Sequence, residues 1–355
     1  MNDRPHTTTH EVFPDPTVSG GTGPRHSAKK SSPWRSVPSA ETMPLADFDF
    51  LDSSEFAQSD RVGRGLALFE GIVEPTPQQM TSVMQMNSLR LMGLNQPAGQ
   101  MRRGARYLHP SGAGKSTCAK ILTQHVAKQY GFDPARKSVL HVTLSTTGTP
   151  KSLASSILTE VGCGYSTRGE AELLLLRVHE AIQEFKIELL VIDELNHIKG
   201  KGLATEAANT IKNILTLGWV PVILMGTSDA EPLVKSNREL RNRCQPQVFL
   251  RPYVAAGDDL AHWSCLLDRI DNAMLDHEIV KFPTGLKMIA KDLCVASNGL
   301  IGEFHGIMLA ALEMALTEGA DRISHDHLVN AVNEWAVGDG TIDSNPLVAR
   351  EGEKG

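Results

Sequence analysis

The sequence has 355 residues, 41% hydrophobic and 21% charged: an ordinary globular composition, with enough chain for a large core and two domains plus tails. A net charge of −6 excludes a chain that coats nucleic acid by bulk charge, but not one that binds DNA through a local basic surface formed in an assembly. Cys118, Cys163, Cys244, Cys265 and Cys294 include no CxxC pair and fit neither a zinc site nor a disulfide framework, so reduced thiols in a cytoplasmic protein are expected. No apolar run reaches the ~20 residues that cross a bilayer. The N-terminus also lacks the apolar core of a signal peptide, so no membrane partner is expected.

Residues 1–60 read as a disordered N-terminal tail, rich in Pro, Ser, Thr and Gly up to about position 40. Within it, residues 45–56 carry Leu45, Phe48, Phe50, Leu51 and Phe56 among Asp47, Asp49, Asp52 and Glu55. That pattern is either a solvated extension or a docking segment that orders on a partner. Order is expected to begin near Arg61. Thr76, Pro77 and Gln79 then spell a helix start, with Thr as cap, Pro at the first turn and Gln closing a capping box. Met80, Val83 and Met84 follow as an apolar stripe suited to a core or a subunit contact.

Short apolar runs then alternate with helical segments, the pattern of a parallel sheet. The predicted strands are Ala105–His109, Val139–Leu144, Leu189–Asp193, Val220–Met225 and Val248–Leu250. Helices are predicted between them over Lys115–Tyr130, Lys151–Val161, Glu170–Phe185 and Thr205–Leu217. Beyond Tyr253 helical periodicity takes over, in Leu260–Leu275, Thr284–Ala296, Leu300–Leu316 and His325–Trp335. The expected architecture is therefore α/β: a P-loop core over 61–250 with leading helices, a small all-helical lid over 251–338, and a polar C-terminal tail over 339–355.

The informative segment is Tyr107-Leu108-His109-Pro110-Ser111-Gly112-Ala113-Gly114-Lys115-Ser116-Thr117. A strand enters a glycine-containing loop, and Gly-Lys-Ser opens a helix. Glycines let successive backbone N–H groups turn toward one phosphate, and the helix N-terminus adds a favourable dipole. The loop His109, Ser111, Gly112, Ala113 and Gly114, together with Thr117, would cradle a nucleotide. Lys115 would reach its β- and γ-phosphates and the Ser116 hydroxyl would hold magnesium. His109 departs from the GxxxxGK(S/T) pattern, standing where the first glycine belongs.

The apolar run Leu189–Ile192 ends in Asp193 and Glu194. Two carboxylates at the end of a buried strand are costly unless a cation or a donor waits there. Asp193 suits a magnesium ligand acting through water, and Glu194 suits the group that polarises the attacking water. At the end of the next strand, Thr227 places a hydroxyl where a sensor of the γ-phosphate or the water would lie. Arg238, Arg241 and Arg243 cluster further on. They form either a solvated face or the source of an arginine finger that reaches a neighbouring subunit's nucleotide.

In order, Gly114-Lys115-Ser116, Ile192-Asp193-Glu194-Leu195-Asn196-His197, Val222–Thr227, Arg241-Asn242-Arg243-Cys244 and Asn298-Gly299-Leu300-Ile301-Gly302 resemble the TniB and TnsC-type transposition ATPases. These are AAA+ proteins related to initiators and clamp loaders, and the similarity spans roughly Arg61 to Trp335. The resemblance implies an ATP and Mg2+ site at Lys115, Ser116, Asp193 and Glu194, and a sensor at Thr227. It also implies a finger at Arg243, with Arg241 as second choice. A homo-oligomeric ring or filament around double-stranded DNA, and recruitment of a transposase or integrase, are implied as well. Glu303 departs from the family, occupying the place where such lids commonly present an arginine to the γ-phosphate; either the helix is rotated, or hydrolysis is slow, or that sensor is absent. The loop Ser145–Lys151, with Thr149 and Lys151, and the neighbouring Arg168 suit phosphate contacts without base readout. Lys199 and Lys201 are alternatives, and a solvated role for all of them stands beside that reading. A regulatory ATPase switch acting on a protein without DNA is the competing function.

Overall fold

The structure, a computed structural model, describes residues 53–144, 149–198, 200–245 and 250–348. The tail before Ser53, and with it most of the expected docking segment, lies outside these residues, as do Ser145–Gly148, Lys199 and residues 246–249.

Four parallel strands form the sheet: β1 (Gly104–Leu108), β2 (Val139–Thr143), β3 (Leu189–Asp193) and β4 (Val222–Gly226), in the order β1-β4-β3-β2. Alternate residues serve opposite faces. Leu190, Ile192, Val222 and Leu224 join one apolar cluster, while Leu189, Val191, Ile223 and Met225 join the other. Both faces are covered, which is why β3 reads as an unbroken apolar run rather than an alternating one. Each fully buried Val, Leu or Ile contributes about 1.5–3 kcal/mol relative to exposure.

On one face lie α4 (Pro150–Val161), α5 (Ala171–Glu184), α6 (Lys201–Thr216), α7 (Glu231–Ser236) and α8 (Arg238–Arg243). On the other lie α2 (Pro77–Asn95) and α3 (Lys115–Gln129). The capping box at Thr76 and Gln79 forms as its sequence requires. The expected strand Val248–Leu250 falls mostly on residues that are not described. Just before it, Cys244 makes a parallel bridge to Gly104 on the free edge of β1, and Gln245 N donates to Gly104 O at 2.7 Å.

The lid comprises α9 (Gly257–Asp276), α10 (Ala290–Ala296), α11 (Ile301–Thr317) and α12 (His325–Val332), with its own core around Trp263, Phe304, Ile307 and Leu312. The segment predicted as one helix from Thr284 instead begins with a 3-10 turn over Leu286–Ile289. No single helix among the described residues is long and apolar enough to cross a membrane.

Two boundaries differ from expectation. The N-terminal tail was expected to reach residue 60, but α1 spans Ser53–Gly71. Two of its polar side chains reach the lid: Gln58 Nε2 donates to Leu316 O at 2.9 Å and Thr317 O at 2.6 Å, and Arg61 donates to Ala320 O at 3.2 Å. These side chains satisfy carbonyls at the end of α11, and Phe69 is buried in the lid core, so α1 packs with the lid. At the other end, the polar tail expected from Asp339 is ordered through Val348: Leu347 is buried and Asn345 donates to Val329 O at 2.9 Å.

Candidate functional site

The carboxyl ends of β1, β3 and β4 bring the sequence-predicted groups together. The loop after β1 turns through Gly112 (φ 73°) and Gly114 (φ 85°), left-handed positions that favour glycine. His109 needs no such conformation and is absent from the positive-φ residues. Its backbone N–H continues the sheet by donating to Gly226 O at 3.0 Å, and its buried ring accepts from Leu250 N at 3.3 Å through Nε2. The missing glycine is thus replaced by a side chain that ties the loop to the segment entering the lid.

Lys115 opens α3, and its ammonium donates to His109 O at 3.0 Å and Pro110 O at 2.8 Å. Burial lowers its pKa, while the Asp193 and Glu194 carboxylates act in the opposite sense. Ser116 Oγ donates to Asp193 Oδ2 at 2.6 Å, joining the two oxygens expected beside magnesium. Asp193 is almost wholly buried. Burial would raise its pKa, but hydrogen bonds from His141 (3.0 Å), Ser116 and the Glu194 N–H (2.8 Å) outweigh it and hold the carboxyl below its ordinary value.

Among the described residues no group of three or more His, Cys, Asp or Glu could hold a metal by itself. One hydroxyl and one carboxylate are nevertheless the hard oxygen donors that suit Mg2+, which takes one or two protein ligands and completes its shell with phosphate and water. Thr227 Oγ1 is buried with no partner, an orphan hydroxyl where the sensor was expected. Glu194 has φ 61°, a left-handed non-glycine of the kind that clusters at functional sites, and its side chain is 40% exposed. Asn196 Nδ2 donates to its carboxylate at 3.0 Å, and His197 Nε2 lies 3.7 Å away.

Beside the loop lies a pocket of about 290 Å³, walled by Phe69, Ile72 and Gln79 from the leading segment, Gly114 and Thr117, and Ile270 and Ile301 from the lid. Glu70, Glu74, Lys120 and His305 line it as well, so its wall is part apolar and part charged. The base of α11 closes on the phosphate loop, with Gly302 N donating to Gly112 O at 2.8 Å. Glu303, next in the chain, accepts from the Trp335 indole N–H at 3.2 Å.

Arg243 is only 18% exposed and pairs with Glu239 of its own helix at 3.5 Å, while Arg241 on α8 is exposed. Thr149 Oγ1 caps α4 by accepting from Ser152 N at 3.1 Å. Lys151 and Arg168 are exposed, and the Arg168 guanidinium lies 5.5 Å from the Tyr165 ring centroid. Lys201 opens α6.

Sequence reasoning missed His141, Asn196 and the pocket walls. Asn196 lies inside the quoted Ile-Asp-Glu-Leu-Asn-His string, so only its partner was hidden. His141, Ile72 and Ile270 come from segments whose sequence carries no phosphate-site signal.

Residues 78–252 match the family described as "Bacterial TniB protein". No curated protein matches the chain. Among solved structures, the Aeropyrum pernix ORC2 protein in its ADP form is similar with a TM-score of 0.54 at 17% identity, over 70% of this chain and 67% of that one. Cdc6p from Pyrobaculum aerophilum gives 0.54 at 15% identity, over 76% and 70%. The Aeropyrum pernix ORC1 protein in complex with DNA gives 0.52 at 17%, over 74% and 66%. At such identities the likeness concerns the fold. A parallel sheet carrying a phosphate loop, an acidic pair at the end of β3 and a helical lid is the AAA+ ATPase architecture, and residues 78–252 of this chain match the TniB family.

Proposed function

We propose that the protein binds ATP with Mg2+, hydrolyses it, and regulates DNA transposition by oligomerising on double-stranded target DNA and recruiting a transposase. The observation that carries this reading is the convergence of Lys115, Ser116, Asp193 and Glu194 on one loop, within the TniB-matching segment. Lys115 neutralises the β- and γ-phosphates, and the N–H groups of Gly112–Ser116 orient them. Ser116 and Asp193 would hold Mg2+, which would supply positive charge beside the phosphate oxygens. Glu194 aligns the attacking water from a partly exposed carboxylate, and the orphan Thr227 hydroxyl meets the γ-phosphate or that water. With Glu303 engaged by Trp335, the lid adds no cation to Lys115 at the γ-phosphate, and a second positive charge comes from a neighbouring subunit. Exposed Arg241 suits that reach better than Arg243, which is paired within its own helix.

DNA contact falls to Lys151 and Arg168, with Thr149 contributing mainly as a helix cap. Because the chain carries a net charge of −6, single subunits bind DNA weakly and affinity comes from many phosphate contacts aligned in an oligomer. The test is fluorescence anisotropy on random-sequence duplexes across a salt series. ATP should stimulate binding, binding should fall steeply with salt, and Lys151→Ala should weaken it about equally on all sequences. If ATP does not stimulate DNA binding even at low salt, the protein is a nucleotide switch directed at a protein partner.

A further inference from the structure

Two one-turn 3-10 segments face each other across the carboxyl edge of the sheet: Leu195–His197, directly after Glu194, and Ser228–Ala230, directly after Thr227. Asn196 spans the gap. Its Oδ1 accepts the Thr227 backbone N–H at 3.1 Å, and its Nδ2 donates to Glu194 Oε2 at 3.0 Å. The amide has only one sensible orientation. A backbone N–H can only donate and a carboxylate can only accept, so flipping the amide would set donor against donor and acceptor against acceptor.

The approach depends on the residue before the sensor. A Cβ on Gly226 would lie 3.0 Å from Asn196 Oδ1 and 3.3 Å from Leu195 N, close enough that a neighbour would have to give by a few tenths of an ångström. The glycine at the end of β4 therefore makes room for this side chain. At one end of the bridge stands a carboxylate on a left-handed residue, with His197 Nε2 beside it at 3.7 Å. At the other end stands a residue whose hydroxyl is buried and without a partner.

We infer that Asn196 is a positioning residue that couples the Thr227 sensor to Glu194. Contact of Thr227 with the γ-phosphate sets the Thr227 backbone, its N–H fixes the carboxamide, and the carboxamide holds the Glu194 carboxylate toward the water. With ADP the sensor has no γ-phosphate to meet, and the bridge that holds Glu194 is no longer braced from the Thr227 end. This inference rests on the proposed ATPase reading. It adds to that reading the route by which phosphate occupancy reaches the hydrolytic carboxylate.

The test compares full-length wild type with Asn196→Ala, Asn196→Asp, Thr227→Ala, Glu194→Gln and the double variant Asn196→Ala/Thr227→Ala. Affinity is read by titrating fluorescent ATP, turnover by phosphate release, and folding by thermal melts. Asn196→Ala should bind ATP within about twofold of wild type but lose roughly 10²-fold in kcat, the order expected when a reacting group is misplaced by about an ångström. Asn196→Asp is nearly isosteric and guards against a folding artefact. It keeps the acceptor for the Thr227 N–H but sets a second carboxylate against Glu194, so it should lose at least as much kcat. The double variant should be little slower than Thr227→Ala alone, because uncoupling an already silent sensor costs nothing further.

Losses in kcat that multiply in the double variant, or that follow the melting temperature, would make Asn196 a structural residue and overturn the coupling. Wild-type kcat in Asn196→Ala with a dead Glu194→Gln overturns the coupling and leaves the ATPase reading standing. No turnover by wild type, or full turnover by Glu194→Gln, overturns both.

Discussion

The contact between the lid and the phosphate loop can be broken with a single carbon. A Cβ built on Gly302 lies 2.5 Å from Gly112 Cα and 3.3 Å from Gly112 O, both backbone atoms of a turn that has no flexible side chain to yield. In Gly302→Ala, roughly an ångström of separation must therefore open between α11 and the loop before ordinary contact is restored. Overpacking of this kind costs about 1–3 kcal/mol. The Gly302 N–H to Gly112 O bond at 2.8 Å stretches with it, a further loss of about 0.5–1.5 kcal/mol. Against these stands the gain of up to about 1 kcal/mol for alanine over glycine in a helix. The net penalty on the closed arrangement is about 1–3 kcal/mol, and if nucleotide binding requires that arrangement, ATP affinity falls about 5- to 150-fold. Isothermal titration of ATP or a fluorescent analogue measures this, with Gly63→Ala as the control. A Cβ on Gly63 meets nothing within 4 Å, so the control should retain affinity and gain slightly in stability. Wild-type affinity in Gly302→Ala would show that the lid's apposition to the loop plays no part in binding.

Lys115→Ala should lose nucleotide affinity yet melt no lower than wild type, since burial already lowers the lysine pKa; Glu194→Gln should bind ATP normally and lose turnover, by titration and phosphate release. Arg241→Ala should bind nucleotide normally but hydrolyse poorly, and mixing it with Lys115→Ala subunits should restore part of the activity. If Arg243→Ala is the variant rescued in this way, the pairing with Glu239 breaks in the oligomer and Arg243 is the finger. Asp193 titrates below its ordinary value near 3.9, so its charged form stabilises the fold fully above that pH and the contribution is lost as pH falls through the lower, folded value. Asp193→Asn should therefore be less stable than wild type at pH 7, with the gap narrowing in denaturant melts below about pH 4.

Much of this protein was legible from the chain alone, because local chemistry decides it. Gly112, Gly114, Lys115 and Ser116 form the loop that their spacing requires, since only a glycine-bearing turn into a helix start presents consecutive N–H groups to one anion. Leu189–Asp193 is a buried strand ending in carboxylates, and its apolar run could belong to nothing exposed. The capping box at Thr76 is equally local. Tertiary structure decided what depends on distant partners. His109 breaks the motif in sequence, yet its ring finds Leu250 N, more than a hundred positions away. Glu303 reads as a charge facing phosphate until Trp335 supplies a donor. Gln58 looks like part of a tail because its side chain has no local use, yet it satisfies the last carbonyls of α11. Arg241 and Arg243 cannot be told apart by residue type; burial and the Glu239 pairing separate them. Backbone geometry and apolar periodicity are properties of a few neighbouring residues, and so are written in sequence. Desolvation and hydrogen-bond partnership depend on which segments the fold brings together, and only the folded chain sets them.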